Sequence, residues 1–209
     1  MSAIILGLLL GLRHATDADH LVAVTAIVAR ERSLLRAARV GVLWGLGHTM
    51  TLVLVGGAII AFRLVIPPRV GLGLEFGVAL MLITLGYSNI RSARDERADT
   101  AVIRPLIVGT VHGLAGSAAV ALLVLATVRE TVPAFIYLFV FGLGTIIGMV
   151  AVTVILAAPA LYAGNGVARF HGRIRMVAGA LSIAFGMLLA HSLIVDGGLF
   201  SAAPSWEPH

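Results

Sequence analysis

The sequence predicts an all-α membrane protein, a bundle of six transmembrane helices arranged as two inverted repeats of three helices. Of its 209 residues, 59% are hydrophobic and only 12% are charged, whereas a soluble domain carries about 25% charged residues. Apolar runs recur along the chain at lengths that suit the ~20 residues of a helical membrane crossing. We place the spans at residues 2–28, 40–62, 70–91, 105–128, 133–158 and 175–195.

Proline and arginine indicate where these spans end and how they are oriented. Pro67 and Pro68 separate the second span from the third, and Pro105 and Pro133 stand at the starts of the next two, where a helix tolerates proline. The loops after the first, third and fifth spans are rich in arginine, which favours the cytoplasmic side. We therefore expect a multi-pass protein of the cell (inner) membrane with both termini outside. The arginines are Arg30, Arg32, Arg36 and Arg39, then Arg91, Arg94, Arg97 and Arg104, then Arg169, Arg173 and Arg175.

Three short matches between the two halves of the chain predict the repeat. They occur in the same order at offsets of 97 to 100 residues. Each copy would hold three spans, and because three is odd the second copy must enter the membrane from the opposite side, as in many transporters. Chance similarity between apolar helices is the alternative. The matches join residues 11–14 to 109–112, 45–49 to 142–145, and 83–86 to 183–186.

The repeat divides the chain into three parts. Residues 1–98 form the first three-helix copy, residues 99–196 the second, and residues 197–209 a tail. The tail contains glycine, serine and proline, so we expect it to be flexible, with Trp206 available to the membrane interface.

Composition also excludes several kinds of function. The chain has no cysteine, which rules out disulfides and thiolate metal sites. The net charge of +5 comes from arginine without any lysine, and these arginines lie between apolar runs. We attribute the charge to membrane topology and anionic lipid headgroups rather than to a nucleic-acid partner. The Gly-x-Gly pairs Gly71/Gly73 and Gly142/Gly144 do not lie in a phosphate-binding context, so we expect no nucleotide partner.

The first span carries five ionisable side chains near its middle: Arg13, His14, Asp17, Asp19 and His20. A charge at the centre of a bilayer costs ~2.5–3.5 kcal/mol on insertion scales, so such residues usually serve a function. Two imidazoles with two carboxylates suit a borderline transition metal better than Mg²⁺ or Ca²⁺. Two plainer interpretations remain open: a motif in water at a helix end, and a structural pair between Arg13 and Asp17.

On a regular helix, His14, Asp17 and His20 occupy one broad face, because each step of three residues rotates by about 60° short of a full turn. Asp19 then points well away from His14. Either Asp19 orients His20 from behind, or the helix is distorted at this point, as helices at midplane transport sites often are.

Two further spans carry a histidine beside small residues. His48 is followed by Thr49 in the second span, and His112 precedes Ser117 in the fourth. We expect His48 or His112 near the metal path, although a structural hydrogen-bonding role is the alternative. Thr49 and Ser117 either line the path or bond backbone carbonyls. His191, near the outer end of the last span, is a weaker candidate.

Residues 13–21, Arg-His-Ala-Thr-Asp-Ala-Asp-His-Leu, resemble the signature of the nickel/cobalt transporter (NiCoT) family, a histidine followed by four residues and Asp-His within a transmembrane helix. Residues 46–49, Leu-Gly-His-Thr, resemble the family's second motif. The resemblance implies that His14, Asp17, Asp19 and His20 take part in metal recognition and that His48 supports them.

The chain also departs from the long members of that family, which usually have eight spans with one before the signature helix. The family's later motif, Gly-x-Asp-Thr-Ala-Thr-Glu, is absent, and residues 111–118 stand in its place. Their His-Gly pair is similar to that of short permeases associated with urease and hydrogenase maturation. The resemblance therefore implies a short relative, with a metalloenzyme maturation system as a partner.

These observations predict a permease rather than an enzyme. Ni²⁺ or Co²⁺ would be its substrate, with no catalytic cofactor, and Arg13, Thr49 and Ser117 would lie beside the metal path. Transport would draw on an ion gradient, the membrane potential or a partner subunit. Export by the same chemistry is one alternative. A second is an intramembrane metal-dependent hydrolase, in which His and Asp ligands hold Zn²⁺ to activate water.

Overall fold

A computed structural model describes residues 3–29, 31, 33–91, 103–127, 130–162 and 167–206, with side chains except at 3, 117, 118, 121–123, 125–127 and 159–171. All regular structure in these ranges is helical, as the sequence predicts. One π-helical turn, Leu52–Gly56, joins α3 to α4 in a continuous helix. The helices are α1 (Ala3–His14), α2 (Ala18–Val28), α3 (Leu34–Thr51), α4 (Gly57–Phe62), α5 (Pro68–Arg91), α6 (Ile103–Thr127), α7 (Thr131–Tyr162) and α8 (Val167–Val195).

Within the described ranges, four helical segments are long and apolar enough to cross a membrane. α1 and α2 are apolar but shorter than a crossing. The chain is therefore a helical bundle whose composition and helix lengths indicate insertion into a membrane. The four segments are Leu34–Phe62, Pro68–Arg91, Thr131–Ala158 and Gly172–Val195.

The first predicted span, 2–28, is not one helix, because α1 ends at His14 and α2 begins at Ala18. The carbonyl of Arg13 accepts hydrogen bonds from both the backbone N–H and the hydroxyl of Thr16, at 2.8 and 2.6 Å. Asp17 then adopts an extended conformation, with φ −62° and ψ 148°. The distortion that the sequence left open is thus a complete break, made by local bonds that compete with the helical ladder.

Several helices begin earlier than predicted. α3 starts at Leu34 because Ser33 caps it, its hydroxyl accepting a hydrogen bond from the backbone N–H of Arg36 at 3.2 Å. Arg36 and Arg39, which we placed in a loop, therefore lie in the first turns of α3. Arg104 likewise lies in the first turn of α6 and Arg173 within α8.

Glycine allows the helices to approach one another at backbone distance. A Cβ on Gly11 of α1 would meet the carbonyl of Phe141 in α7, and a Cβ on Gly109 of α6 would meet the carbonyl of Trp44 in α3. In the pair formed by α5 and α8, Gly86 faces the carbonyl of Gly179 in the same way. These are the close small-residue contacts by which helices associate inside membranes.

The tail contacts the N-terminal half of α5. The indole N–H of Trp206 donates to the Glu75 carboxylate at 2.8 Å, and its ring covers Gly71. The guanidinium of Arg69 donates to the Ser201 carbonyl at 2.9 Å. Residues 197–206, which we expected to be flexible, thus have specific partners on α5.

The glycine contact between α5 and α8 gives the first testable prediction. Gly86→Val should lower stability by more than the ~1–3 kcal/mol of ordinary overpacking, because the added Cβ meets a backbone carbonyl that cannot rotate aside. Thermal unfolding of the purified protein in detergent measures the change. Gly77→Val, in the same helix, is the matched control, since a Cβ there meets nothing within 4 Å. Equal melting temperatures for the two variants would contradict this account of the α5–α8 contact.

Candidate metal centre

His14 is the last residue of α1, and the break that follows places Asp17 beside it. His14 Nδ1 lies 2.7 Å from Asp17 Oδ2. The Asp17 side chain is 46% exposed, while that of His14 is 16% exposed. Asp17 therefore fixes the orientation of the His14 ring and leaves Nε2 directed elsewhere, which is a common arrangement for metal-binding histidines. The Asp17 carboxylate thus pairs with His14 rather than with Arg13, whose side chain is exposed.

The first turn of α2 presents Asp19 and His20. Asp19 Oδ1 lies 2.9 Å from His20 Nδ1 and also accepts the backbone N–H of His20 at 2.8 Å. A carboxylate is favoured there by the unpaired amides of a helix N-terminus. Its other oxygen, Oδ2, lies 3.4 Å from His112 Nε2. Both possibilities that the sequence left open are therefore realised together: the helix is broken, and Asp19 contacts His20.

His48 on α3 and His112 on α6 complete the cluster from the other side. Both are buried, and α3 and α6 meet here because a Cβ on Gly113 would strike the carbonyl of His48. The His48 ring centroid lies 5.2 Å from that of His14 and 5.3 Å from that of His20. The His14 and His20 rings are 4.7 Å apart, and the His20 and His112 rings 4.8 Å apart.

Most nitrogens of these four rings have no hydrogen-bond partner among the described residues. They are Nε2 of His14 and of His20, both ring nitrogens of His48, and Nδ1 of His112, while Nε2 of His112 has only the 3.4 Å contact with Asp19 Oδ2. Leaving a buried polar group unsatisfied costs about 1–3 kcal/mol. A ligand that binds several imidazoles at once would use the lone pairs of these nitrogens. Such a ligand would explain why four rings of this kind pack together.

Two groups of potential ligand atoms each lie within 4.8 Å of one another. The first group is His14, His20 and His48, and the second is Asp19, His20 and His112. Imidazole nitrogens with a carboxylate oxygen suit Ni²⁺, Co²⁺ or Zn²⁺, whereas Mg²⁺ and Ca²⁺ prefer all-oxygen sites. The arrangement is chemically able to hold a divalent transition metal.

Three residues that were not expected from the sequence surround the rings. Trp44 stacks on His20, with centroids 5.9 Å apart and planes within 9°, and Phe141 lies 5.4 Å from His14. Gly116 lies against His14 and His48, where a Cβ would be 3.7 to 3.8 Å from their rings. Helical spacing is the signal that could have found two of them. Trp44 precedes His48 by four residues, and Gly116 follows His112 by four, so each shares a helix face with its histidine.

The remaining predicted residues lie beside the cluster or outside the described set. The hydroxyl of Thr49 donates to the Gly142 carbonyl of α7 at 3.0 Å, which is the backbone-bonding alternative for this residue. The side chain of Ser117 lies outside the described residues. His191 is exposed on α8.

Comparison with known proteins shows a relative that aligns over almost the whole chain. The urease accessory protein UreH of Bacillus sp. (strain TB-90) is 33% identical over an alignment of 218 residues, which covers 96% of this chain and 95% of the relative. No protein-family model matches the chain, and no solved structure matches it.

Gly116 gives a second prediction. Gly116→Ala should fold normally, because its Cβ would sit at ordinary van der Waals distance from the imidazoles. It should nevertheless weaken metal binding by about tenfold, by analogy with other changes around a metal site that leave the ligands themselves intact. In a Trp206→Phe background Trp44 is the one remaining tryptophan, so quenching of its fluorescence by Ni²⁺ reports binding.

The matched control is Gly73→Ala, in which the new Cβ meets nothing within 4 Å. The control should titrate like the parent protein. If Gly116→Ala also did so, the space beside His14 and His48 would not belong to the metal site.

Proposed function

Because the chain belongs to the family of the urease accessory protein UreH, we propose that it is a membrane permease carrying a divalent transition-metal ion, Ni²⁺ or Co²⁺, through the buried histidine cluster. The observation that carries the proposal is the convergence of His14, His20 and His48, with unpaired nitrogens, inside a bundle of apolar helices. The relative's association with urease favours nickel, and a metalloenzyme maturation system is the proposed recipient of the metal.

The carboxylates assist the imidazoles in this proposal. Asp17 and Asp19 each contact the Nδ1 of a histidine, which leaves the Nε2 of His14 and of His20 unpaired. A carboxylate behind a histidine fixes its tautomer and raises its basicity toward a metal. The two negative charges also offset the charge of a dication, which would be costly in a low-dielectric interior.

We further propose that the chain is a short, six-span member of the NiCoT family. The broken pair α1 and α2 forms the first span, the joined helices α3 and α4 the second, and α5, α6, α7 and α8 the remaining four. Arginine at the ends of alternate spans supports a multi-pass topology in the cell membrane with both termini outside.

The close glycine contacts support the inverted repeat. Gly11 against Phe141 corresponds to Gly109 against Trp44, with the glycines 98 residues apart and their partners 97 apart. In the first contact the glycine belongs to the first copy and its partner to the second, and in the other contact these positions are exchanged. A two-fold relation between the copies requires this exchange.

The pair formed by α5 and α8 repeats this correspondence. A Cβ on Gly86 would meet the side chain of Ile183, and a Cβ on Gly186 would meet the side chain of Ile83. The two glycines are 100 residues apart, and so are the two isoleucines. Ser182 donates to the carbonyl of Leu82, which is again 100 residues away.

The same correspondence relates His14 to His112, so the histidine cluster lies where the two copies meet. That is where transporters with inverted repeats hold their substrate near the midplane. Only the first copy is broken beyond its histidine, since α6 continues through Gly113. Two copies with different conformations are suited to alternating access, in which the halves rock around the site and expose it to each side in turn.

Nickel accumulation in cells tests the proposed function. Cells expressing the chain should accumulate more radioactive nickel than cells with an empty vector. Asp19→Asn should abolish the gain, because the amide removes the negative charge shared by His20 and His112. Asp196→Asn, at an exposed carboxylate beyond α8, is the control and should transport normally.

The direction of the change is informative. Lower accumulation than in empty cells would make the protein an exporter with the same site. Unchanged nickel and cobalt levels, with the protein present in the membrane, would contradict the proposed function.

A further inference from the structure

His20 belongs to both potential ligand groups, and it is their one shared member among the described residues. It contacts Asp19 through Nδ1 and keeps Nε2 without a hydrogen bond. The two nitrogens of one ring are therefore available to different neighbours. We call His14, His20 and His48 the imidazole position, and Asp19, His20 and His112 the carboxylate position.

We propose that the transported ion occupies these two positions in turn, with His20 as the ligand common to both. The inference rests on the proposed function and adds a path to it. The ion rests at the imidazole position and then passes to the carboxylate position. His20 changes its ligand atom from Nε2 to Nδ1, and the proton lost from Nδ1 is replaced by one taken up at the vacated Nε2, so the ring stays neutral. A neutral imidazole has one unprotonated nitrogen, so His20 serves one position at a time.

The two positions differ in how they balance the charge of the ion. At the imidazole position all three ligands are neutral rings, and the carboxylates of Asp17 and Asp19 lie behind two of them. At the carboxylate position Asp19 is itself a ligand, between His20 and His112. Asp19 thus has a partner in either state, because it supports His20 in the first and binds the ion in the second.

A shared ligand solves a general difficulty of transport. A site that binds an ion firmly enough to strip its water tends to release it slowly, and pathways with several weaker sites avoid this. His20 borders both positions, so an ion released from one group of ligands lies directly beside the next group. Four rings lie together with centroids near 5 Å, and three of them are buried. Four rings are more than one three-ligand site requires, and two positions account for them.

The proposal separates binding from transport, and purified protein tests it. Ni²⁺ affinity is measured in detergent and the rate of Ni²⁺ uptake in proteoliposomes, for the wild type and for His48→Ala, His112→Ala and His112→Gln. His48→Ala should lower affinity by about tenfold or more, because it removes a ligand of the resting position. Both His112 variants should bind Ni²⁺ almost as well as the wild type but transport it about tenfold more slowly. His191→Ala, at an exposed ring outside the cluster, should match the wild type in both assays.

The outcomes distinguish this inference from the proposed function. If the His112 variants lost affinity and rate by the same factor as His48→Ala, the cluster would be a single site and the two-position path would be wrong. Unchanged rates in folded His112 variants would also overturn it. A role for His112 limited to orienting Asp19 would lower affinity rather than rate. Failure of the wild type to bind or transport Ni²⁺ would instead contradict the proposed function itself.

Discussion

The break between α1 and α2 is the constraint on which the site depends. In an unbroken helix, His14 and His20 would be separated by about 9 Å along the axis and about 120° around it. The bonds from Thr16 to the Arg13 carbonyl end α1, and the extended conformation of Asp17 separates α1 from α2. The two rings then come within 4.7 Å of each other. The competition for the Arg13 carbonyl therefore brings together the rings of His14 and His20, which a regular helix would hold apart.

Close helix packing adds the other two histidines. α6 reaches α3 at the level of His48 because Gly113 has no side chain to hold the helices apart. Trp44 then fills the volume behind the cluster and stacks on His20, while its ring also lies 5.6 Å from His112. Aromatic side chains and the backbone of glycine residues thus surround the polar side chains of the cluster. An ion held by the cluster would exchange water for imidazoles that the packing of these helices already positions.

The sequence predicted the members of the histidine cluster better than its geometry. His14, His20, His48 and His112 could be selected because a polar residue inside an apolar run is costly and therefore conspicuous. The complete break could not be predicted, because Thr16 bonds the Arg13 carbonyl only where the helix already ends.

Trp44, Phe141 and Gly116 were missed because such residues are ordinary in membrane helices, and their importance arises only from contacts between helices. The metal-ligand roles of the four histidines and of Asp17 and Asp19 stay predictions, as does the role of Ser117 beside the path. X-ray absorption at the nickel edge of the Ni²⁺-loaded protein tests the central claim most directly. The account predicts the multiple scattering of several coordinated imidazoles. A shell of oxygen atoms without an imidazole signature would contradict it.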